Sequence, residues 1–168
     1  MAKPCDIPGL RADLPFRQAA AATVAVRAQE LFAQADGVLD VDDIERVHDM
    51  RVATRRLRAV LEIYEPCFAQ KRHRAVLKDV KALADALGAR RDPDVLLAHL
   101  SAIEAAVARA DGPGIEVFAD EAREDQARGN EVLAAALERA RGRDLEARLV
   151  NLAASAAPDS ASVNGSSR

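Results

Sequence analysis

Three arginines and one histidine follow one face of the stretch 44–64, and their side chains are of the types that bind phosphate groups. Wound as a helix at about 100° per residue, this stretch aligns His48, Arg51, Arg55 and Arg58 at spacings of three and four. A planar guanidinium suits phosphate oxygens, and the imidazole adds a donor whose charge depends on pH. Like charges at these spacings repel, so the stripe indicates an anionic partner from outside the helix. The alternative is a solvated basic face neutralised by carboxylates of neighbouring helices.

The stretch 71–87 repeats this two-faced design. Its apolar face comprises Val76, Leu77, Val80, Leu83, Ala84 and Leu87, and its basic face comprises Lys71, Arg74, Lys78 and Lys81. If the two helices pack as an antiparallel pair, both basic stripes line one groove.

The elements that must position these side chains are helices. Apolar residues recur at spacings of three and four, and aromatic residues make up 3% of the chain, which favours an Ala/Leu/Val core between packed helices. We therefore predict an all-α fold, a helical bundle of four to six helices. The predicted helices cover 15–35, 44–64, 71–87, 93–109 and 115–141, with a last piece after Gly142. Residues 1–13 are predicted to be irregular, 14–155 to form the helical domain, and 156–168 to be a disordered tail.

Local signals set the predicted boundaries. Gly88 is placed as the glycine just past a helix end, and Asp92 and Pro93 as the cap and first residue of the next helix. Asp42 and Glu45 have the spacing of a capping box for the helix that follows. Residues 111–114 are predicted to be a turn. Capping, together with pairing to Arg91, accounts for the carboxylates of Asp92 and Asp94.

Charge is distributed unevenly along a chain whose net charge is −3. Residues 44–91 hold 12 Lys+Arg against 6 Asp+Glu, so the rest of the chain is acidic. A local basic patch favours one polyanion at one site and disfavours broad nucleic-acid binding. The longest apolar run is too short to span a bilayer, and two cysteines without a CxxC motif fit a reducing cytoplasm.

Catalytic and metal chemistry has little support in the sequence. His73 and His99 are predicted to be core or boundary histidines, and Cys67 has no nucleophile signature. No HExxH, P-loop or GxSxG motif is present, and no carboxylate cluster is visible to hold Mg²⁺. We predict no catalytic residue, no metal site and no cofactor, which disfavours hydrolysis of phosphoanhydrides.

Two runs carry a family resemblance. The run VHDMRVATRRLRAVL at 47–61 is followed by the basic helix and by LGARRDPDVLLAHL at 87–100, and together they resemble the conserved histidine α-helical domain, CHAD. The resemblance covers roughly residues 14–110. It implies an all-helical domain whose basic surface binds inorganic polyphosphate. By motif position it assigns binding to His48, Arg51, Arg55, Arg56, Arg58, Lys78, Lys81 and Arg91, and the third-helix stripe adds Arg74.

Two functions remain open from the sequence. The first is a polyphosphate-binding module of the cytoplasm that is recruited to polyphosphate granules. The second is a protein-interaction domain whose basic groove takes an acidic partner segment, since the same stripes suit both ligands.

The resemblance also implies two similar helical halves, of which this sequence matches the first. Two copies related by a two-fold axis restore two halves, so we predict a homodimer. The predicted contact uses Phe118, Leu133, Leu137, Leu145 and Leu149, which lie on the weakly striped stretch 115–152.

Overall fold

The computed structural model describes residues 3–106 and 112–156, and within them the chain is all-α, with no strand. It confirms the predicted bundle of four to six helices. The helices are α1 Phe16–Ala33, α2 Ile44–Ile63, α3 Gln70–Glu104, α4 Gly112–Gly142 and α5 Leu145–Ala154, with a 3₁₀ turn at Glu65–Cys67.

The long helix α3 is the centre of the bundle. It packs against α2 on one side and against α4 on the other, while α1 packs against α2 and α5. One hydrophobic cluster runs through all five helices. Its largest fully buried apolar side chains are Leu31, Met50, Leu57, Leu61, Leu83, Leu87, Leu133, Leu145, Leu149 and Leu152. Helical spacing in the sequence predicts core stripes in the first three helices, and these stripes contribute six of the side chains: Leu31, Met50, Leu57, Leu61, Leu83 and Leu87.

The third and fourth predicted helices form one continuous helix, so the predicted break at residues 88–92 is wrong. Gly88 and Pro93 are strong local stop signals, yet both lie inside α3. Pro93 has no N–H for the carbonyl of Ala89, a loss that costs about 3 kcal/mol in a helix interior. Packing of α4 along this part of α3 offsets the cost, so tertiary contacts override the local signal.

The α4 backbone comes very close to α3 at this interrupted hydrogen bond. A Cβ atom built on Gly129 would lie 2.6 Å from the carbonyl oxygen of Ala89 and 2.9 Å from Cα of Arg90. Helix propensity alone predicts Gly129 to be a weak point of the helix 115–141, but packing against α3 requires a glycine at this position.

Gly129→Ala should destabilise the fold, although alanine is the better helix former. Its methyl group would meet backbone atoms that cannot move aside, and such overpacking typically costs about 1–3 kcal/mol. Gly88→Ala is the matched control, because a Cβ on Gly88 would meet nothing within 4 Å. That substitution should gain up to about 1 kcal/mol from helix propensity. Urea unfolding of both variants checks the prediction, and equal shifts in the same direction would contradict it.

A buried polar cluster joins α3 to α4 next to this contact. Arg90 and Asp94 are fully buried and form an ion pair one helical turn apart. Gln126 donates to Oδ1 of Asp94 at 2.7 Å, and the Nε–H of Arg90 donates to Oδ1 of Asn130 at 3.3 Å. Asn130 donates in turn to the carbonyl of Leu39 at 3.1 Å. The cluster therefore ties the α1–α2 connection to both long helices.

Several predicted local interactions differ in the structure. Asp94 pairs with Arg90 rather than Arg91, and Asp92 is an exposed residue inside α3 rather than a cap. Asp43, not Asp42, precedes α2, and its carboxylate accepts a hydrogen bond from Arg46 at 2.8 Å instead of capping the helix. The turn predicted at 111–114 is helical from Gly112 onward, and residue 111 lies outside the described residues.

The sequence predicts that the fourth helix buries Leu96, Leu100, Ile103 and Val107, but continuity of α3 turns this stripe away from the core. Leu100 is half-buried, and residue 107 lies outside the described residues. Leu96 and Ile103 are 47% and 49% exposed. An unbroken helix keeps the same face toward the core, and that face continues through Arg90 and Asp94. Leu96 and Ile103 fall on the opposite side.

Four of the five residues predicted to form a dimer contact belong to the core of one chain. Leu133, Leu137, Leu145 and Leu149 are buried. The predicted contact is therefore wrong at these positions, because their side chains already have partners within the bundle. Phe118 is 62% exposed, and the homodimer itself stays a prediction.

The described part of the N-terminal segment, residues 3–15, contains no helix or strand. It is held to α1, because Arg27 donates to the carbonyl of Cys5 at 3.0 Å and the Cys5 amide donates to Glu30. Of the predicted disordered tail, residues 157–168 lie outside the described residues, and Ala156 is buried. No described helix is both long and apolar enough to cross a membrane.

Candidate anion-binding site

A groove of about 540 Å³ lies between α2 and α3, and the basic face of α2 lines it. The α2 wall is formed by His48, Arg51, Val52, Arg55, Arg56 and Arg58. The α3 wall is formed by Ala84, Asp85, Gly88, Ala89 and Asp92. The structure therefore brings together all five α2 residues that the sequence singled out, against a wall of small side chains and two carboxylates.

Packing of the opposite face of α2 fixes the direction of these side chains. Met50, Leu57 and Leu61 are fully buried, so residues offset by half a turn must face outward. Arg51 and Arg55 are exposed accordingly. The helix thus holds their guanidinium groups one turn apart, about 6 Å along the axis.

Arg51 and Arg55 make no ion pair with any carboxylate among residues 3–106 and 112–156. Asp85 and Asp92 line the opposite wall without pairing with either arginine. The alternative of a basic face neutralised by neighbouring helices therefore fails at these two positions. The N–H donors of both guanidinium groups therefore remain available to an anion that enters the groove.

Arg58 is the last residue of the basic stripe of α2, and it lies beside a carboxylate that pairs with residues of both α2 and α3. Glu62 accepts from Nε of Arg58 at 3.1 Å, and its carboxylate lies 3.3 Å from Nζ of Lys81. The hydrogen bond from Arg58, supported by Lys81, holds the pKa of Glu62 below its usual value. Glu62 therefore stays ionised at neutral pH and holds Lys81 of α3 close to Arg58, which lines the groove.

Three further residues that the sequence predicts to bind polyphosphate lie on α2 and α3. His48 and Arg56 are half-buried along the groove wall. Arg91 is half-buried on α3, and its Nη1–H donates to the carbonyl of Ile44 at 3.4 Å, in the first turn of α2. Arg91 thus lies beside the N-terminal end of α2 and outside the residues that line the groove.

The two basic stripes do not share one groove, because Lys78 faces the other side of α3. It lines a cavity of about 220 Å³ between α3 and α4, together with Asp79, Ala82, Leu83, Ala136, Arg139, Ala140 and Arg143. Arg74 is exposed on α3 and lines neither groove. The prediction of one shared groove is therefore wrong for Lys78 and Arg74.

Two arginines of this second groove were missed from the sequence. Arg139 and Arg143 lie on α4, where their spacing of four is a signal that they share one face. Asp79 orients Arg143, whose Nη1 lies 3.0 Å from Oδ1, and also binds Nη1 of Arg148 at 2.6 Å through Oδ2. What the sequence did not reveal is which helix Arg139 and Arg143 face.

The remaining histidines take different places. His73 is buried, its Nε2 lies 2.8 Å from the carbonyl oxygen of Leu61, and its ring stacks on Phe68. The core position predicted for His73 is confirmed, whereas His99 is exposed. Within residues 3–106 and 112–156, no group of three or more His, Cys, Asp or Glu side chains is arranged to hold a metal ion.

Comparisons with known proteins identify the domain rather than a whole-protein activity. The family model described as CHAD domain matches residues 22–167, which extends past the runs that carry the motifs. A similar relative is "Uncharacterized protein Rv2226" of Mycobacterium tuberculosis strain H37Rv, 38% identical over 61 residues. Another is "Uncharacterized protein MT2285" of strain CDC 1551, 36% identical over 61 residues. Each match covers 36% of this chain and 12% of the relative's length. No solved structure matches the chain.

Proposed function

Because this chain belongs to the CHAD domain family, we propose that it binds inorganic polyphosphate in the groove between α2 and α3. The observation that carries the proposal is the pair Arg51 and Arg55, both exposed in the groove and without a carboxylate partner among the described residues. Polyphosphate carries negative charge on every unit, so successive units meet cations placed one helical turn apart.

The shape of the groove supports an extended polymer rather than a compact ligand. The α3 wall consists largely of small residues, and Gly88 leaves open space where a side chain would stand. A chain of phosphates can therefore lie against α3 while the longer arginine side chains of α2 reach it from the opposite wall. His48, Arg56 and Arg58 extend the contacts along the same helix.

The proposal assigns binding and no catalysis to this groove. It makes the protein a cytoplasmic binding module at polyphosphate granules, with no nucleic acid as its ligand. Release of inorganic phosphate from polyphosphate in the presence of Mg²⁺ would contradict the non-catalytic part of the proposal.

Titration of the protein with long-chain polyphosphate tests the proposed function. Binding should weaken steeply with salt, because each phosphate contact releases condensed counterions. For four contacts the affinity should fall about 50-fold between 50 and 200 mM salt, by analogy with single-stranded nucleic acids. Isothermal titration calorimetry at several salt concentrations gives the slope.

The same titration separates polyphosphate from an acidic protein segment. Poly-glutamate of matched charge is the control ligand. Its carboxylates are spaced more widely along the polymer than the phosphates of polyphosphate, and they lack the tetrahedral arrangement of phosphate oxygens. Stronger binding of poly-glutamate than of polyphosphate would favour a protein-interaction domain. No binding of polyphosphate at 50 mM salt would refute the proposed function.

A further inference from the structure

We propose that the groove between α3 and α4 is a second anion-binding track, so that one long polyphosphate chain crosses α3 and contacts both grooves. The inference rests on the proposed function and extends it to residues of α4. It concerns Lys78, Arg139 and Arg143, which line this second groove.

The second groove has uncompensated positive charge. Lys78 and Arg139 form no ion pair with any described carboxylate. Arg143 is bound by Asp79, yet 61% of its side chain is exposed. The groove thus presents three cations against one carboxylate, and Asp79 is already engaged with Arg143 and Arg148.

The floor of this groove leaves the cations accessible. Ala82, Ala136 and Ala140 are its small lining residues. Because alanine side chains end at Cβ, the longer side chains of Lys78 and Arg139 project beyond them. An anion therefore meets the charged groups before it meets the apolar floor.

Lys81 and Lys78 connect the two tracks across α3. Lys81 lies near Glu62 at the α2 side, and Lys78, one turn earlier on α3, lines the groove at the α4 side. Adjacent packed helices lie about 8–10 Å apart, so the path from α2 to α4 is on the order of 16–20 Å. A chain of three phosphates is too short to span it, whereas long-chain polyphosphate spans it readily.

Arg139→Gln tests the second track, and Arg141→Gln is its matched control. Arg141 is exposed on the same helix, makes no ion pair with a described carboxylate, and faces a different cavity beside Ala35 and Asp36. Both variants remove one positive charge, so they change the net charge of the protein equally. Calorimetric titration with long-chain polyphosphate and with tripolyphosphate gives four affinities to compare with those of the parent.

Arg139→Gln should weaken binding of long-chain polyphosphate about three- to tenfold and lower the salt slope by about one unit. Its affinity for tripolyphosphate should match that of the parent, and Arg141→Gln should match the parent for both ligands. Equal behaviour of the two variants toward long chains would overturn the second track while leaving the proposed function intact. A parent protein that binds neither ligand would overturn both. Circular dichroism of each variant confirms that the helix content is unchanged.

Discussion

Arg51→Glu combined with Arg55→Glu should abolish polyphosphate binding and leave the helical fold intact. Each arginine offers charge-assisted hydrogen bonds worth about 1.5–3 kcal/mol, so losing two of them lowers the affinity at least about 100-fold. The new carboxylates also repel the polyanion. The fold should persist because both side chains are exposed and make no described ion pair.

A double variant with the same change in charge provides the control. Arg17→Glu with Arg141→Glu reverses two exposed arginines that line neither basic groove. Its binding should weaken only modestly, through the lower net charge of the protein. If the two double variants bind polyphosphate equally well at matched salt, the groove between α2 and α3 is not the site.

The largest effect on stability should follow from breaking the buried ion pair of α3. Asp94→Leu leaves Arg90 charged, fully buried and without its carboxylate, which should cost about 3–5 kcal/mol. Arg90→Leu combined with Asp94→Leu should recover much of that loss, because two apolar side chains need no charged partner. Urea unfolding of the parent, the two single variants and the double variant completes the cycle.

Asp120→Leu removes the aspartate of an exposed Arg–Asp ion pair, and its effect on stability is to be compared with that of Asp94→Leu. Asp120 accepts from Arg123 across one turn of α4, and both side chains are more than half exposed. Without Asp120, Arg123 keeps its ion pair with Glu116 at 2.9 Å and is solvated by water, so the unfolding midpoint should stay near that of the parent. An Asp94→Leu variant as stable as Asp120→Leu would show that the Arg90–Asp94 pair does not hold α3 to α4.

The parts of the fold that were predictable from the sequence are those that local periodicity decides. In α2 the buried Met50, Leu57 and Leu61 and the exposed Arg51 and Arg55 follow from helical spacing alone. The basic wall of the groove was therefore predictable residue by residue. Its other wall was not, because the face that α3 turns toward α2 depends on how the two helices pack.

Contacts between distant residues account for what the sequence did not predict. Gly88 and Pro93 are local signals for the end of a helix, yet both lie inside α3. The packing of α4 on α3, with Gly129 close to Ala89, overrides these signals. The partnership of Arg90 with Asn130, 40 residues away, has no local pattern either. The same holds for Lys78 and Arg139, which face each other only once α3 and α4 have packed.

The packing of α1 against α5 has a consequence for synthesis of the chain. Helices α2, α3 and α4 can each pack on the element before them as they leave the ribosome, since each contacts its predecessor. Helix α1 leaves before the other four helices of the bundle, but its contact with α5 forms only after residue 154 has been translated. Part of its apolar face is therefore uncovered while α2, α3 and α4 are translated, and it is the surface on which a nascent-chain chaperone would act.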